Sequence, residues 1–168
     1  MRLRPFFADR DFEIIAGWAA DERTHAMWCA NLFNFPLEKS NFESVLKNFA
    51  EKFGDSPFVA TTDDGKVIGF FCYSSNLQTN EGMLKFVMID SQCRGSGYGK
   101  EMILLASKYA FEIAKVSTLQ LNVFSENLGA KKCYQSCGFA ERHTDSKVFK
   151  FNEEMWGRCN MVLKKAEN

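Results

Sequence analysis

Just past the middle of the chain, nine residues have the composition of an anion-binding loop. The segment reads Gln-Cys-Arg-Gly-Ser-Gly-Tyr-Gly-Lys over positions 92–100, between an apolar run at 84–89 and a helical pattern of apolar residues over 102–113. Glycines let the backbone approach a phosphate closely, and the unpaired N–H groups and positive dipole at a helix start attract anions. The loop therefore predicts a ligand that carries phosphate.

Two better-known phosphate loops do not fit this segment. A Walker loop requires Gly-x-x-x-x-Gly-Lys-Ser/Thr, whereas here Gly95 lies four residues before Gly99 and Glu101 follows the lysine. A Rossmann fingerprint lies in the first βαβ unit of its domain, whereas this loop lies in the second half of the chain. Neither nucleotide-binding class is therefore favoured.

The elements around the loop follow from apolar periodicity. The pattern predicts helices at 9–20, 40–53, 98–114 and 127–137, and strands at 2–6, 58–62, 66–73, 83–90, 118–124, 139–150 and 155–164. Asp9 or Asp11 is expected to cap the first helix, and Ser40 with Glu43 has the spacing of a capping box. Residues 21–38 are expected to be irregular. Because a helix connects strands 83–90 and 118–124, these strands should be parallel, in an α/β fold with a mixed sheet.

Two motifs, in this order and on these elements, resemble the GCN5-related N-acetyltransferase (GNAT) superfamily in its bacterial form. Arg-x-x-Gly-x-Gly at 94–99 resembles the acyl-CoA signature, and Asn-x-x-Ala-x-x-x-Tyr-x-x-x-Gly-Phe at 127–139 resembles the second hallmark. The resemblance is sharp over 84–139. It implies one domain over 1–168 with the GNAT acyl-CoA N-acyltransferase fold, a mixed, mostly antiparallel sheet of six to seven strands flanked by about four helices.

The resemblance implies acetyl-CoA as cosubstrate. Its pyrophosphate would lie on the loop, its pantetheine arm would bond to the backbone of Val87 and Ile89, and an N–H near Met88 would face the thioester oxygen. Asn127 would hold the pantetheine, cap the following helix, or do both. Arg94 would contact phosphate or brace the loop. The expected cofactor-binding residues are Val87, Met88, Ile89, Arg94, Gly95, Ser96, Gly97, Tyr98, Gly99, Lys100, Asn127 and Lys132; for Lys132 a solvated surface position is the alternative.

Tyr134 is the expected general acid, because expulsion of a CoA thiolate requires a proton and a phenol with a pKa of about 10 is protonated at neutral pH. The alternative is a half-buried aromatic residue on a helix. The general base is less well defined. Family members often place a glutamate at positions that correspond here to Met83 and Asn122, and neither side chain is a base.

Two residues are expected to compensate for the missing base. Asn122 would orient a water molecule or a polar group of the substrate. Glu81 lies two residues before Met83, on the same face of a strand, and would act as base; a solvated glutamate in a turn is the alternative reading. Glu126, Asp90 and His143 are weaker candidates. A water relay, or binding of the neutral amine, would need no side-chain base.

The function implied is acetyl-CoA-dependent N-acetyl transfer to a primary amine, a small molecule or a protein N-terminus, by direct attack in a ternary complex. The alternatives are an acyl-CoA-binding sensor of the same fold without turnover, and transfer of a longer acyl group or to an oxygen nucleophile. Four aromatic residues are expected to be core or acceptor pocket: Trp28, Phe33, Phe35 and Trp156.

The composition of the chain limits the classes of partner that we expect. With 21 basic and 21 acidic residues the formal net charge is zero, so nucleic acid and membrane partners are not expected. Short apolar runs and a start without a signal-peptide core lead us to expect a cytoplasmic protein. The spacing of six cysteines and two histidines favours free thiols and no metal. A monomer or a homodimer remains open.

Overall fold

Seven strands form one mixed sheet in the computed structural model, which describes residues 1–166. The strands are β1 (Arg2–Pro5), β2 (Ser56–Thr61), β3 (Val67–Asn76), β4 (Glu81–Ile89), β5 (Thr118–Phe124), β6 (Ala140–Phe151) and β7 (Glu154–Lys164). Their order in the sheet is β1-β2-β3-β4-β5-β7-β6. The β4–β5 pair is parallel and the other neighbouring pairs are antiparallel. The predicted crossover and mixed sheet are confirmed.

Within residues 1–166, five α-helices cover the two faces of the sheet. They are α1 (Ala8–Ala16), α2 (Glu22–Cys29), α3 (Lys39–Phe53), α4 (Tyr98–Lys108) and α5 (Leu128–Ser136). A π-helical turn, Tyr109–Ile113, continues α4. One apolar cluster joins Phe12 and Phe42 of α1 and α3 to Phe70 of β3, and the other joins Met102 of α4 and Tyr134 of α5 to the opposite face. We call these faces the α3 side and the α4 side.

Four local predictions were wrong. Residues 22–29 form α2, capped by Asp21, which accepts a hydrogen bond from the Thr24 N–H at 2.8 Å. The first helix is capped by neither predicted aspartate, since its N-cap position is Phe7 and the carboxylate of Asp11 pairs with Arg4 at 2.7 Å. The α3 helix starts after Glu38, so that Ser40 lies inside it and forms no capping box. The first helix, which was predicted to extend to residue 20, ends at Ala16.

A β-bulge changes the course of β4 next to the glycine loop. Cys72 of β3 lies opposite Lys85, and Phe70 lies opposite Met88, so two residues of β4 face one residue of β3. The first of them, Phe86, has a φ of +51°, which is unusual for an aromatic residue. The bulge reverses side-chain parity, and Phe86 and Met88 therefore pack on the α3 side.

The parallel strands separate at the bulge. Pairing between β4 and β5 begins at Glu81 and ends where Leu84 lies opposite Leu121. β5 continues along β7 as far as Phe124. Among the described residues, the segment 85–89 of β4 therefore has no strand partner on its β5 side. This leaves a gap beyond Leu84 with one free backbone edge.

The described residues also bear on membranes and metals. Within residues 1–166, no helix is both long and apolar enough to cross a membrane. In the same part of the chain, no group of three or more His, Cys, Asp or Glu side chains is arranged to hold a metal ion. All six cysteines are free thiols.

Candidate active site

The glycine loop connects the end of β4 to the start of α4. Gly97 is the N-cap of α4 with a φ of +86°, and Gly95 has a φ of +79°. A Cβ atom built on either residue meets nothing within 4 Å, so the left-handed backbone, rather than crowding, requires glycine here. No acceptor within residues 1–166 is found for the N–H groups of residues 97–100. These donors are available to an anion.

Three polar side chains expected around the ligand have different surroundings. Arg94 donates from Nε to the backbone oxygen of Ile89 at 3.4 Å, which braces the loop. Asn127 accepts a hydrogen bond from the Ala130 N–H at 3.2 Å and caps α5. Lys132 is exposed on α5. The contacts of Arg94 and Asn127 within the protein are therefore those of a loop brace and a helix cap.

The register of β3 and β4 determines which backbone groups face the gap. The Asp90 N–H donates to the Ile68 oxygen at 2.9 Å. Residues that bond across an antiparallel ladder alternate with residues whose N–H and C=O point away. The backbone of Met88, opposite Phe70, therefore faces β3, and that of Ile89 faces the gap. This geometry does not favour the expected donation from Met88 to a ligand in the gap.

A side chain of α2 sets the orientation of the bulge. Trp28 donates from Nε1 to the backbone oxygen of Phe86 at 2.8 Å, from the α3 side, where both side chains pack. In a trans peptide the C=O and the next N–H point in opposite directions. The N–H of Val87 is consequently turned away from α2, toward the other side of the sheet.

Tyr134 lies in the apolar cluster on the α4 side, with Leu84, Leu121 and Val123 among its members. Burial raises the pKa of Tyr134, and the nearby thiols of Cys133 and Cys137 raise it further. The phenol is therefore neutral at physiological pH. No hydrogen bond to its hydroxyl is found within the described chain, so its proton is not committed to a neighbouring acceptor.

Glu81 is the first residue of β4 rather than a residue of the preceding turn, and both carboxylate oxygens are bound. Oε1 accepts from Arg142 at 2.7 Å and Oε2 accepts from Gln120 at 2.6 Å. Gln120 in turn accepts from the amide of Asn160 at 3.0 Å, and the same amide donates to Asn122 at 3.0 Å. The two polar residues predicted from sequence, Glu81 and Asn122, thus belong to one chain of hydrogen bonds.

The four aromatic residues predicted to be core or acceptor pocket differ in how deeply they are buried. Phe33 and Trp156 are fully buried, whereas Phe35 is partly exposed and Trp28 is half-buried against the bulge. The guanidinium of Arg23 lies over the ring of Trp156, with Cζ 5.1 Å from the ring centroid. Arg23 also forms a bidentate ion pair with Glu154, in which its two terminal nitrogens lie 2.6 and 3.0 Å from the two carboxylate oxygens. This pair joins α2 to the β6–β7 hairpin.

Sequence reasoning missed several of these contacts. Arg142, Asn160 and the Arg23–Glu154 pair each join segments that are far apart in the chain, and no local pattern marks them. The Asp-Glu-Arg-Thr start of α2 is a visible capping signal, since aspartate is a preferred N-cap.

A glycine loop at a helix N-terminus lies beside two diverging parallel strands, the arrangement that the sequence resemblance implies for an acyl-CoA-binding site. The model of the Acetyltransferase (GNAT) family matches residues 12–139. The chain belongs to this family and is an acetyltransferase enzyme.

Two curated relatives are N-acetyltransferases. An uncharacterized N-acetyltransferase, MJ1530, of Methanocaldococcus jannaschii is 25% identical over 125 residues, which cover 74% of this chain and 76% of that protein. The 5-NmdU N-acetyltransferase of Pseudomonas phage PaMx11 is 28% identical over 76 residues, 45% of this chain and 51% of that protein. The second match thus spans about half of the phage protein.

Solved structures share the fold over nearly the whole chain. Spermidine N-acetyltransferase from Vibrio cholerae, in complex with CoA and spermine, has a TM-score of 0.80 at 21% identity, and the match covers 97% of this chain and 94% of that one. A putative phosphinothricin N-acetyltransferase has a TM-score of 0.79 at 18% identity, with 99% of each chain covered. At these identities the likeness shows the fold.

Proposed function

We propose that the protein transfers the acetyl group of acetyl-CoA to a primary amine, a small molecule or a protein N-terminus, by direct attack in a ternary complex. The observation that carries the proposal is the gap between β4 and β5 beyond Leu84, which opens beside the unpaired N–H groups of α4. A free strand edge and an anion site in succession suit a ligand with an amide-containing arm and a pyrophosphate.

The chain's own backbone fits this ligand. The N–H groups of residues 97–100 would hold the pyrophosphate, with Gly95, Ser96 and Arg94 shaping the loop, and the exposed Lys132 lies on the helix that flanks it. The Ile89 backbone would bond to the pantetheine arm. We assign the donor toward the thioester oxygen to the Val87 N–H instead of Met88, because Trp28 holds the Phe86 carbonyl in the opposite direction. Acetyl-CoA supplies the activated acetyl thioester.

The reaction removes one proton from the amine and adds one proton to the sulfur of CoA. The amine nitrogen forms a bond to the acetyl carbon, the carbon–sulfur bond breaks, and the products are an N-acetyl amide and CoA thiol. Tyr134 would deliver the proton to sulfur, since its raised pKa keeps the phenol protonated. Asn122 would orient a water molecule that removes the amine proton, and Glu81, held by Arg142 and Gln120, would fix the polar residues around it.

A non-catalytic acyl-CoA sensor is the second candidate, because Met83 and Asn122 occupy the two positions where a base was expected. The two candidates differ in turnover. The purified protein is incubated with acetyl-CoA and a panel of primary amines, and both N-acetyl product and free CoA thiol are quantified. We expect both in equal amounts. Tight binding of acetyl-CoA without acetylation of any amine would favour the sensor.

A further inference from the structure

An open groove of about 540 Å³ lies on the α3 side of the sheet, over the paired ends of β4 and β5. Its lining includes Met83, Lys85 and Gln120. Lys85 directly follows Leu84, the last residue of β4 that pairs with β5. The groove therefore begins at the point where the strands separate, on the face opposite Tyr134.

The acidic groups of this groove are already neutralised by the protein. Glu81, the one carboxylate in the lining, is held by the guanidinium of Arg142 at 2.7 Å. Behind the lining, the buried carboxylate of Asp55 is paired with the ammonium of Lys85 at 2.5 Å. Both carboxylates therefore have a cationic partner, and the second oxygen of Asp55, which accepts no hydrogen bond, is buried out of reach of a ligand in the groove.

The aromatic wall of the groove is also occupied by cations. The ammonium of Lys85 lies 4.5 Å from the ring centroid of Phe53, and that of Lys52 lies 5.1 Å from the same centroid. A ring in this position attracts a cationic ligand, but here the protein supplies the cations. Lys52 has no carboxylate within 4.0 Å in the described chain, so the groove carries one uncompensated positive charge.

We propose that this groove binds the body of the acceptor and that the acceptor is an amine that also carries a carboxylate. The inference rests on the proposed function and specifies its substrate class. Lys52 would pair with the acceptor's carboxylate, while Gln120 and the serine and amide side chains of the lining would bond to its polar groups. A polyamine, with a second ammonium in this position, would meet the uncompensated charge of Lys52 and no carboxylate that lacks a cationic partner.

Three acceptors of equal chain length isolate the charge effect: 4-aminobutanoate, 4-amino-1-butanol and 1,4-diaminobutane. The kcat/KM of each with saturating acetyl-CoA should fall in that order, with a difference on the order of tenfold between the first and the last for a partly exposed charge. The preference should shrink as salt is raised. Lys52→Glu should reverse the order.

Lys47→Glu is the matched control, because it makes the same charge change on the same helix at a residue outside the groove lining. It should leave the order unchanged. A wild-type preference for the diamine, or an order that Lys52→Glu does not alter, would overturn the inference while leaving acetyl transfer intact. Binding of acetyl-CoA without acetylation of any amine would instead overturn the proposed function and this inference with it.

Discussion

The indole Nε1 of Trp28 lies 2.8 Å from the backbone oxygen of Phe86 and donates a hydrogen bond to it. This contact joins α2 to the residue at which β4 turns away from β5. Because Phe86 has a φ of +51°, the bulge is costly for an aromatic residue and requires support from its surroundings. Trp28 provides that support and aims the following N–H, that of Val87.

Replacing Trp28 by Phe should therefore impair catalysis more than binding. The substitution keeps an aromatic ring in the cluster and removes one hydrogen bond worth about 1 kcal/mol. We expect kcat to fall about tenfold if the Val87 N–H contributes to transition-state stabilisation, with a smaller change in the KM for acetyl-CoA. Trp18→Phe, at a buried position of the same cluster, is the control. Equal losses in both variants would assign Trp28 a packing role only.

Tyr134→Phe should lower turnover about a hundredfold, in the range usual for loss of a general acid, and leave the affinity for acetyl-CoA nearly unchanged. Rapid-quench kinetics measures the rate of the transfer step, and calorimetric titration measures the affinity for acetyl-CoA. Tyr73→Phe removes another buried hydroxyl, which has no hydrogen-bond partner in the described chain, and should retain full activity. Undiminished turnover in Tyr134→Phe would exclude this tyrosine as the acid.

Gly97→Ala should weaken acetyl-CoA binding, because alanine is strained at a φ of +86° by about 1 kcal/mol. If the loop must adopt this conformation to bind acetyl-CoA, the strain corresponds to an affinity about fivefold lower. Gly65→Ala introduces the same kind of strain at a φ of +90° in the β2–β3 turn and should lower stability without changing affinity. If the two variants bind acetyl-CoA equally well, the loop does not hold the ligand.

Asp11→Asn should destabilise the fold at neutral pH but not at acid pH. Burial opposes ionisation of Asp11, but hydrogen bonds from Arg4 and the Phe7 N–H outweigh it and lower its pKa. The stabilisation is complete above the unfolded pKa of about 4 and is lost as the pH falls through the lower folded value. Urea unfolding at pH 7 should show a loss of about 2 kcal/mol, the value typical of a hydrogen bond to a charged group. A loss that persists unchanged at pH 2 would contradict the assignment.

The parts predictable from sequence are those with local causes. The left-handed glycines of the loop and the cap at Asn127 depend on residue type at one position, and the crossover follows from the order of the elements. The helix at 22–29 was missed because it buries His25, Ala26 and Cys29 rather than an apolar stripe. The bulge at Phe86 has no glycine to mark it. The partner of Glu81, Arg142, is 61 residues away and is recognisable only in three dimensions.

Amide hydrogen exchange at Ile89, followed by NMR with and without CoA, tests most directly whether the cosubstrate occupies the gap between β4 and β5. The Ile89 N–H faces the gap, whereas that of Met88 faces β3 and serves as an internal control. We expect CoA to slow exchange at Ile89 on the order of tenfold or more, with a much smaller change at Met88. Saturating CoA that leaves exchange at Ile89 unchanged would contradict the proposed site.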